Sequence, residues 1–128
     1  MKLAIIGGSD FANYDLLVNE CDKIKNIDTI VSGGANGADT LGEKYAKEKG
    51  YKTLIFPAKW NDLNFTPCKI KYNRYGNPYN CLAGLNRNKD IINNADIVIA
   101  FWDGKSKGTK NSINITKRLS KELIITKY

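Results

Sequence analysis

Thr29-Ile30-Val31-Ser32-Gly33-Gly34-Ala35-Asn36-Gly37-Ala38-Asp39 runs from a β-branched apolar trio, through a glycine-rich turn, into the helical pattern Leu41 to Lys49. Strand, glycine turn and helix start in that order are the parts of a phosphate-binding loop. Glycine lets backbone approach a ligand and take up positive φ without a Cβ clash. The helix that follows aims unpaired N–H groups and the positive end of its dipole at whatever occupies the turn.

The same alternation continues on both sides. Leu3 to Ile6 reads as a buried strand, and Tyr14, Leu17, Val18, Cys21 and Ile24 recur at helical spacing. Asp39 to Lys49 is a helix stopped by Gly50, and Thr53 to Phe56 a strand closed by Pro57. Leu85 to Asn94 and Ser112 to Ser120 read as helices, and Ile97 to Phe101 and Leu123 to Thr126 as strands. Short strands alternating with helices predict an α/β fold, a Rossmann-like three-layer sandwich with a mostly parallel sheet. The 128 residues suit a single nucleotide-binding domain, 1–128. Residues 58–83, with Trp60, Phe65, Tyr72, Tyr75 and Tyr79, form an aromatic-rich insertion, read as a long irregular loop.

Composition excludes several classes. Histidine is absent, which removes the usual zinc sets and the Ser-His-Asp and Cys-His nucleophile pairs. Cys21, Cys68 and Cys81 are odd in number and no signal peptide is evident, so reduced thiols in a cytoplasm are expected. Met1 to Gly8 turns to glycine after four apolar residues, too soon for a signal's apolar core. No apolar run is long enough to span a bilayer. A formal charge of +7 favours anionic partners, although each lysine also has the plain reading of a solvated surface.

Ligands on such sheets bind beyond the carboxyl ends of the strands, so three separated loops should meet there. In the first, Gly8, Ser9 and Asp10 follow strand one; Ser9 can donate to a phosphate, whereas Asp10 repels phosphate and accepts from ribose hydroxyls or a base. In the second, Ser32, Gly33, Gly34, Ala35, Asn36 and Gly37 lead to Asp39, which is read as a helix N-cap, as a ribose contact, or as both. Glu43, one turn on, is a carboxylate suited to the helix dipole, or a general acid or base if the protein is an enzyme. The third holds Trp102, Asp103, Lys105, Ser106, Gly108 and Thr109; it is no Walker motif, because the earlier glycine is missing at the required spacing. Trp102 either stacks on a base or packs beside the sheet. Arg87-Asn88 is read as opening the helix before the fourth strand, where Arg87 is either a fork onto phosphate or a surface ion pair.

These motifs together resemble the SLOG superfamily, named for Smf/DprA and LOG proteins, in its YspA-like branch. Ser32 to Asp39 is similar to the Ser-Gly-x-Ala-x-Gly-x-Asp signature. Gly8-Ser9 with Phe11 and Tyr14, Pro57 to Trp60, Ala83-Gly84 with Arg87-Asn88, and Ala95 through Thr109 fall in family order. The resemblance implies a Rossmann-like fold, a pocket for nucleotides or nucleotide-derived molecules, and homo-oligomers whose subunits complete each other's sites. Two departures stand out. Family members commonly carry arginine where Asp10 stands, and the Pro-Gly-Gly-x-Gly-Thr-x-x-Glu motif of the LOG phosphoribohydrolases is absent. The insertion resembles small stand-alone members found in bacteriophage genomes.

The resulting expectation is a cytoplasmic sensor or sponge that binds a nucleotide-derived signal, a cyclic nucleotide or an NAD-derived ADP-ribose species, as a phage anti-defence protein would. An N-glycosidase of phosphoribohydrolase type, with Glu43 activating water, is the alternative. Nucleic-acid binding comes third, and no membrane partner is expected. No cofactor and no metal site are assigned, although Asp39, Glu43 and Asp103 are able to hold magnesium through water.

Overall fold

Leu3, Ala4, Ile5 and Ile6 are all buried, yet they fall into two different apolar clusters. That is the mark of a strand covered on both faces, since successive side chains alternate sides. The strand is β1 (Lys2–Gly7), at the centre of the sheet in this computed structural model, which describes residues 1–34, 36–57, 70–72, 75, 78–80 and 83–128, with 70, 71, 78–80 and 83–86 as backbone. In chain order there follow α1 (Tyr14–Asp22), β2 (Thr29–Ser32), α2 (Ala38–Lys49), β3 (Lys52–Ile55), β4 (Ile70–Tyr72), β5 (Pro78–Asn80), α3 (Ala83–Asn93), β6 (Ile97–Trp102), α4 (Lys107–Arg118) and β7 (Glu122–Lys127).

The main sheet has five strands in the order β3-β2-β1-β6-β7, and every pairing in it is parallel. Leu3, Ile5, Ile30, Ile97, Ile99 and Phe101 pack with Leu17, Cys21, Tyr45 and Ala46 of α1 and α2. Ala4, Ile6, Val31, Val98 and Ala100 pack with Ile91, Ile92, Ile113 and Ile115 of α3 and α4. This is the expected Rossmann-like α/β sandwich. No helix among the described residues is long and apolar enough to cross a membrane.

Several boundaries differ from the sequence reading. Strands β4 and β5 form an antiparallel pair, so the 58–83 insertion is not irregular throughout. Helix α4 begins at Lys107, five residues ahead of the reading, because Ser106 caps it: its Oγ accepts from the Thr109 amide at 3.5 Å. Trp60, Phe65, Cys68 and Cys81 lie outside the described residues. Cys21 is buried, and burial pushes its thiol up to about 12, as expected of an inert core residue.

Polar contacts tie the layers together. The buried Tyr45 donates to Asp22 at 2.7 Å and Tyr14 donates to Glu48 at 2.5 Å, linking α1 to α2. Lys121 gathers three carbonyls around the end of α3, from Ile92, Asn93 and Ala95, at 2.8, 3.0 and 2.7 Å. An ammonium among helix C-terminal carbonyls meets both their unpaired lone pairs and the negative end of the dipole. Lys121→Met should therefore lower stability by about 1.5–3 kcal/mol, the range for hydrogen bonds to a charged group, read as a lower urea midpoint with an unchanged slope.

Candidate functional site

The strand order reverses between β1 and β6, and in sheets of this kind the loops leaving such a point split toward opposite faces, which makes their carboxyl ends the place where ligands bind. The backbone locks the first two loops together there. The Ala38 amide, at the start of α2, donates to the Gly8 carbonyl at 3.2 Å, as does the Phe11 amide; Gly8 itself donates to Phe101 of β6 at 3.3 Å. A Cβ at Gly37 would overlap the Gly8 carbonyl oxygen and stand 2.6 Å from Ser9, and Gly37 has φ +78°. Two loops twenty-nine positions apart by number (Gly8 and Gly37) thus meet backbone to backbone because one of them has no side chain.

Beside this junction lies a polar cluster. Ser32, fully buried at the end of β2, accepts from the Gly34 amide at 3.2 Å; its Oγ is 3.4 Å from the Asp39 carbonyl and 3.5 Å from Glu43 Oε2, which share its proton. Arg87 reaches from α3 and donates through Nη1 to the Gly33 carbonyl at 2.7 Å. A Cβ at Gly33 would lie 2.5 Å from Arg87 Nη1 and 2.9 Å from Asp39 Oδ2. Guanidinium and carboxylate therefore approach the same residue. The Arg87 Nε is buried and has no hydrogen-bond partner among the described residues.

Residues 1–62 match the YAcAr family, described as the YspA, cpYpsA-related SLOG family. The stretch Ser32 to Asp39 falls inside this match. No curated protein matches the chain. Among solved structures, DNA processing protein A (DprA) from Streptococcus pneumoniae superposes with a TM-score of 0.74 at 20% identity, over 97% of this chain and 49% of that one. The Helicobacter pylori DprA structure, described for its single-stranded DNA binding mode, gives 0.65 at 25% identity, over 98% of this chain and 64% of that one. The chain thus spans between about half and two thirds of the length of these two structures.

Between Ser32 and Asp39 one assignment changes. Asp39 is not the N-cap: Gly37 holds that position and makes no side-chain cap, so Asp39 is a buried first-turn residue of α2. The helix starts one residue early because the Ala38 amide is already bonded to Gly8. Arg87 and Asn88 likewise do not open α3; they lie in its second turn, Arg87 half-buried and Asn88 buried. Gly34 and Asn36 are exposed, as are Ser9 and Asp10, and Ala35 lies outside the described residues.

The third loop is shorter than the sequence suggests, because Trp102 ends β6 and Lys107 begins α4. Asp103 Oδ1 accepts from the Lys105 and Ser106 amides, both at 2.8 Å, and so shapes the turn. Trp102 donates from Nε1 to the Ser106 carbonyl at 3.1 Å and packs against the cluster on the α3–α4 face. Thr109 is buried, with Oγ1 3.2 Å from Ser106 Oγ. Gly108 faces open space, with nothing within 4 Å of an added Cβ, and Lys105, Lys107 and Lys110 are exposed around it. Among the described residues no three or more acidic or thiol side chains group as metal ligands do.

One residue of this edge went unread: Tyr128. Its hydroxyl donates to Asp10 at 2.5 Å and its ring lies 4.8 Å from Phe11, which stacks on Phe101 at 4.6 Å. The available signal was positional, since the chain leaving β7 emerges at the same edge as the three loops.

The turn carboxylate has a pH consequence. The Ser106 and Lys105 amides hold Asp103 below its ordinary value of 3.8. Tyr45, then Lys49, does the same for Asp22, and the N-terminal ammonium for Asp28. A carboxylate with a lowered folded-state pKa stabilises fully above its unfolded value and loses that stabilisation as pH falls through the folded one. Melting temperature should therefore be flat above about pH 5 and drop below about pH 4, with Asp103→Asn removing part of the drop.

Proposed function

We propose that the carboxyl edge binds a nucleotide-derived small molecule and holds it unchanged, as a sensor or sequestering protein would. The observation that carries this reading is Gly33, approached by the Arg87 guanidinium and the Asp39 carboxylate at the carboxyl edge of the sheet. A guanidinium offers a fork to phosphate oxygens, and carboxylates accept from ribose hydroxyls. The amino end of α4 adds a positive dipole end with three lysines around it and no acidic residue in its first turn. The match of residues 1–62 to a SLOG family supports the same class of ligand.

The test is a panel of nucleotides, cyclic nucleotides and ADP-ribose species scored by melting temperature, with chromatography after denaturation. A raised melting temperature and intact ligand are expected. Released product would make the protein an enzyme, and Glu43→Gln should then abolish turnover. No response to any small molecule overturns the reading.

Gly108 supplies a sharper variant. With open space around it, Gly108→Ala should leave the fold intact and raise stability by about 0.5–1 kcal/mol, since alanine is the better helix residue. If ligand backs onto the α4 amides, the same methyl should weaken binding several-fold in calorimetry.

Single-stranded DNA is the second reading, favoured by the +7 charge and by the binding mode described for the Helicobacter pylori neighbour. Labelled oligonucleotide bound tightly at low salt, with steep salt dependence, would support it over the first.

A further inference from the structure

We propose that Tyr128 and Asp10 make the loop after β1 a subsite for the sugar hydroxyls of the ligand, which turns its phosphate toward Gly33 and Arg87. The assignment rests on the nucleotide-binding reading of the edge and adds the ligand's direction across it.

A phosphate over a glycine turn needs bare backbone and available amides. Gly8 offers neither. A Cβ at Gly8 would overlap the Tyr128 hydroxyl and lie 2.7 Å from Asp10 Oδ1, so the phenol and a carboxylate already stand over this residue. The Gly8 amide is bonded to Phe101 at 3.3 Å. What faces a ligand at this end is therefore an anion held in place by a phenol.

Asp103 lies close enough, with Asp10, to act on the Tyr128 phenol, which burial first, and these carboxylates after it, push up to about 12. The phenol thus stays a neutral donor at every physiological pH. It takes one oxygen of Asp10 and fixes the carboxylate's orientation, while a carboxylate accepts at both oxygens and has capacity for a ligand hydroxyl. At the other end of the edge, the Arg87 guanidinium donates to the Gly33 carbonyl, with the Asp39 carboxylate beside the same residue. Two carboxylates near Gly8, against a guanidinium beside the Asp39 carboxylate at Gly33, favour the direction that sets the sugar hydroxyls at Asp10 and the phosphate at Arg87.

Calorimetry with AMP, 2′,3′-dideoxy-AMP and inorganic pyrophosphate tests this on the full chain, with Asp10→Ala and Tyr128→Phe as variants. The unsubstituted protein should prefer AMP over the dideoxy compound by about tenfold or more, the scale of hydrogen bonds to a charged acceptor. Asp10→Ala should bring that ratio close to one and strengthen pyrophosphate binding. Tyr128→Phe, which keeps the ring and loses the donor, should lose part of the preference. Both residues are exposed, and a melting curve confirms that the variants fold. AMP bound with the same ratio in all three proteins overturns the assignment and leaves the nucleotide reading standing. No binding of any probe to the unsubstituted protein overturns both.

Discussion

Gly37→Ala should destabilise the protein by about 2–6 kcal/mol, a large share of the stability of a domain this size. Two effects add. At φ +78° and ψ −125° an alanine is strained by about 1–3 kcal/mol. Its methyl would also overlap the Gly8 carbonyl and press on Ser9, and forced overpacking of this kind costs about 1–3 kcal/mol more. The backbone there has little room to yield, because the Gly8 carbonyl accepts from both Ala38 and Phe11. Gly50→Ala separates the two effects: φ is +76° but nothing lies within 4 Å, so only strain of about 1–2 kcal/mol should appear. Chemical denaturation of both variants reads the difference. Equal losses at the two positions would mean that the junction of the loops is not what Gly37 serves.

Arg87→Ala should weaken ligand binding by about 10- to 100-fold, the fold-change for losing hydrogen bonds to a charged group. Stability should fall as well, since the Gly33 carbonyl loses its 2.7 Å donor. Arg87→Lys keeps the charge but not the planar fork, and should recover stability more than affinity. Titration calorimetry with the ligand found by the panel, beside melting curves of the same preparations, separates these outcomes. Affinity unchanged in Arg87→Ala would place the ligand elsewhere on the edge.

The fold was largely legible because its signals are local. An unbroken apolar run such as Ile97 to Phe101 marks a strand buried on both faces, and Gly50 after Lys47 and Lys49 marks a helix end. The boundaries that moved did so for reasons of contact. The start of α2 is drawn to Ala38 by a bond from a different loop, and α4 extends back to Lys107 because Ser106 is free to cap it. The β4–β5 pair was missed because three-residue strands rich in tyrosine and asparagine carry no clear period.

The candidate site divides in the same way. Glycines 33, 34 and 37 between a β-branched strand and a helix specify a phosphate-type turn from sequence alone, because turn geometry depends on residues within a few positions. Periodicity does not report strand order. Only the order β3-β2-β1-β6-β7 brings Arg87 to the carbonyl of Gly33, 54 positions away, and Tyr128 to Asp10, 118 positions away. Those two long-range hydrogen bonds exist because parallel crossovers deliver every loop of the sheet to one edge.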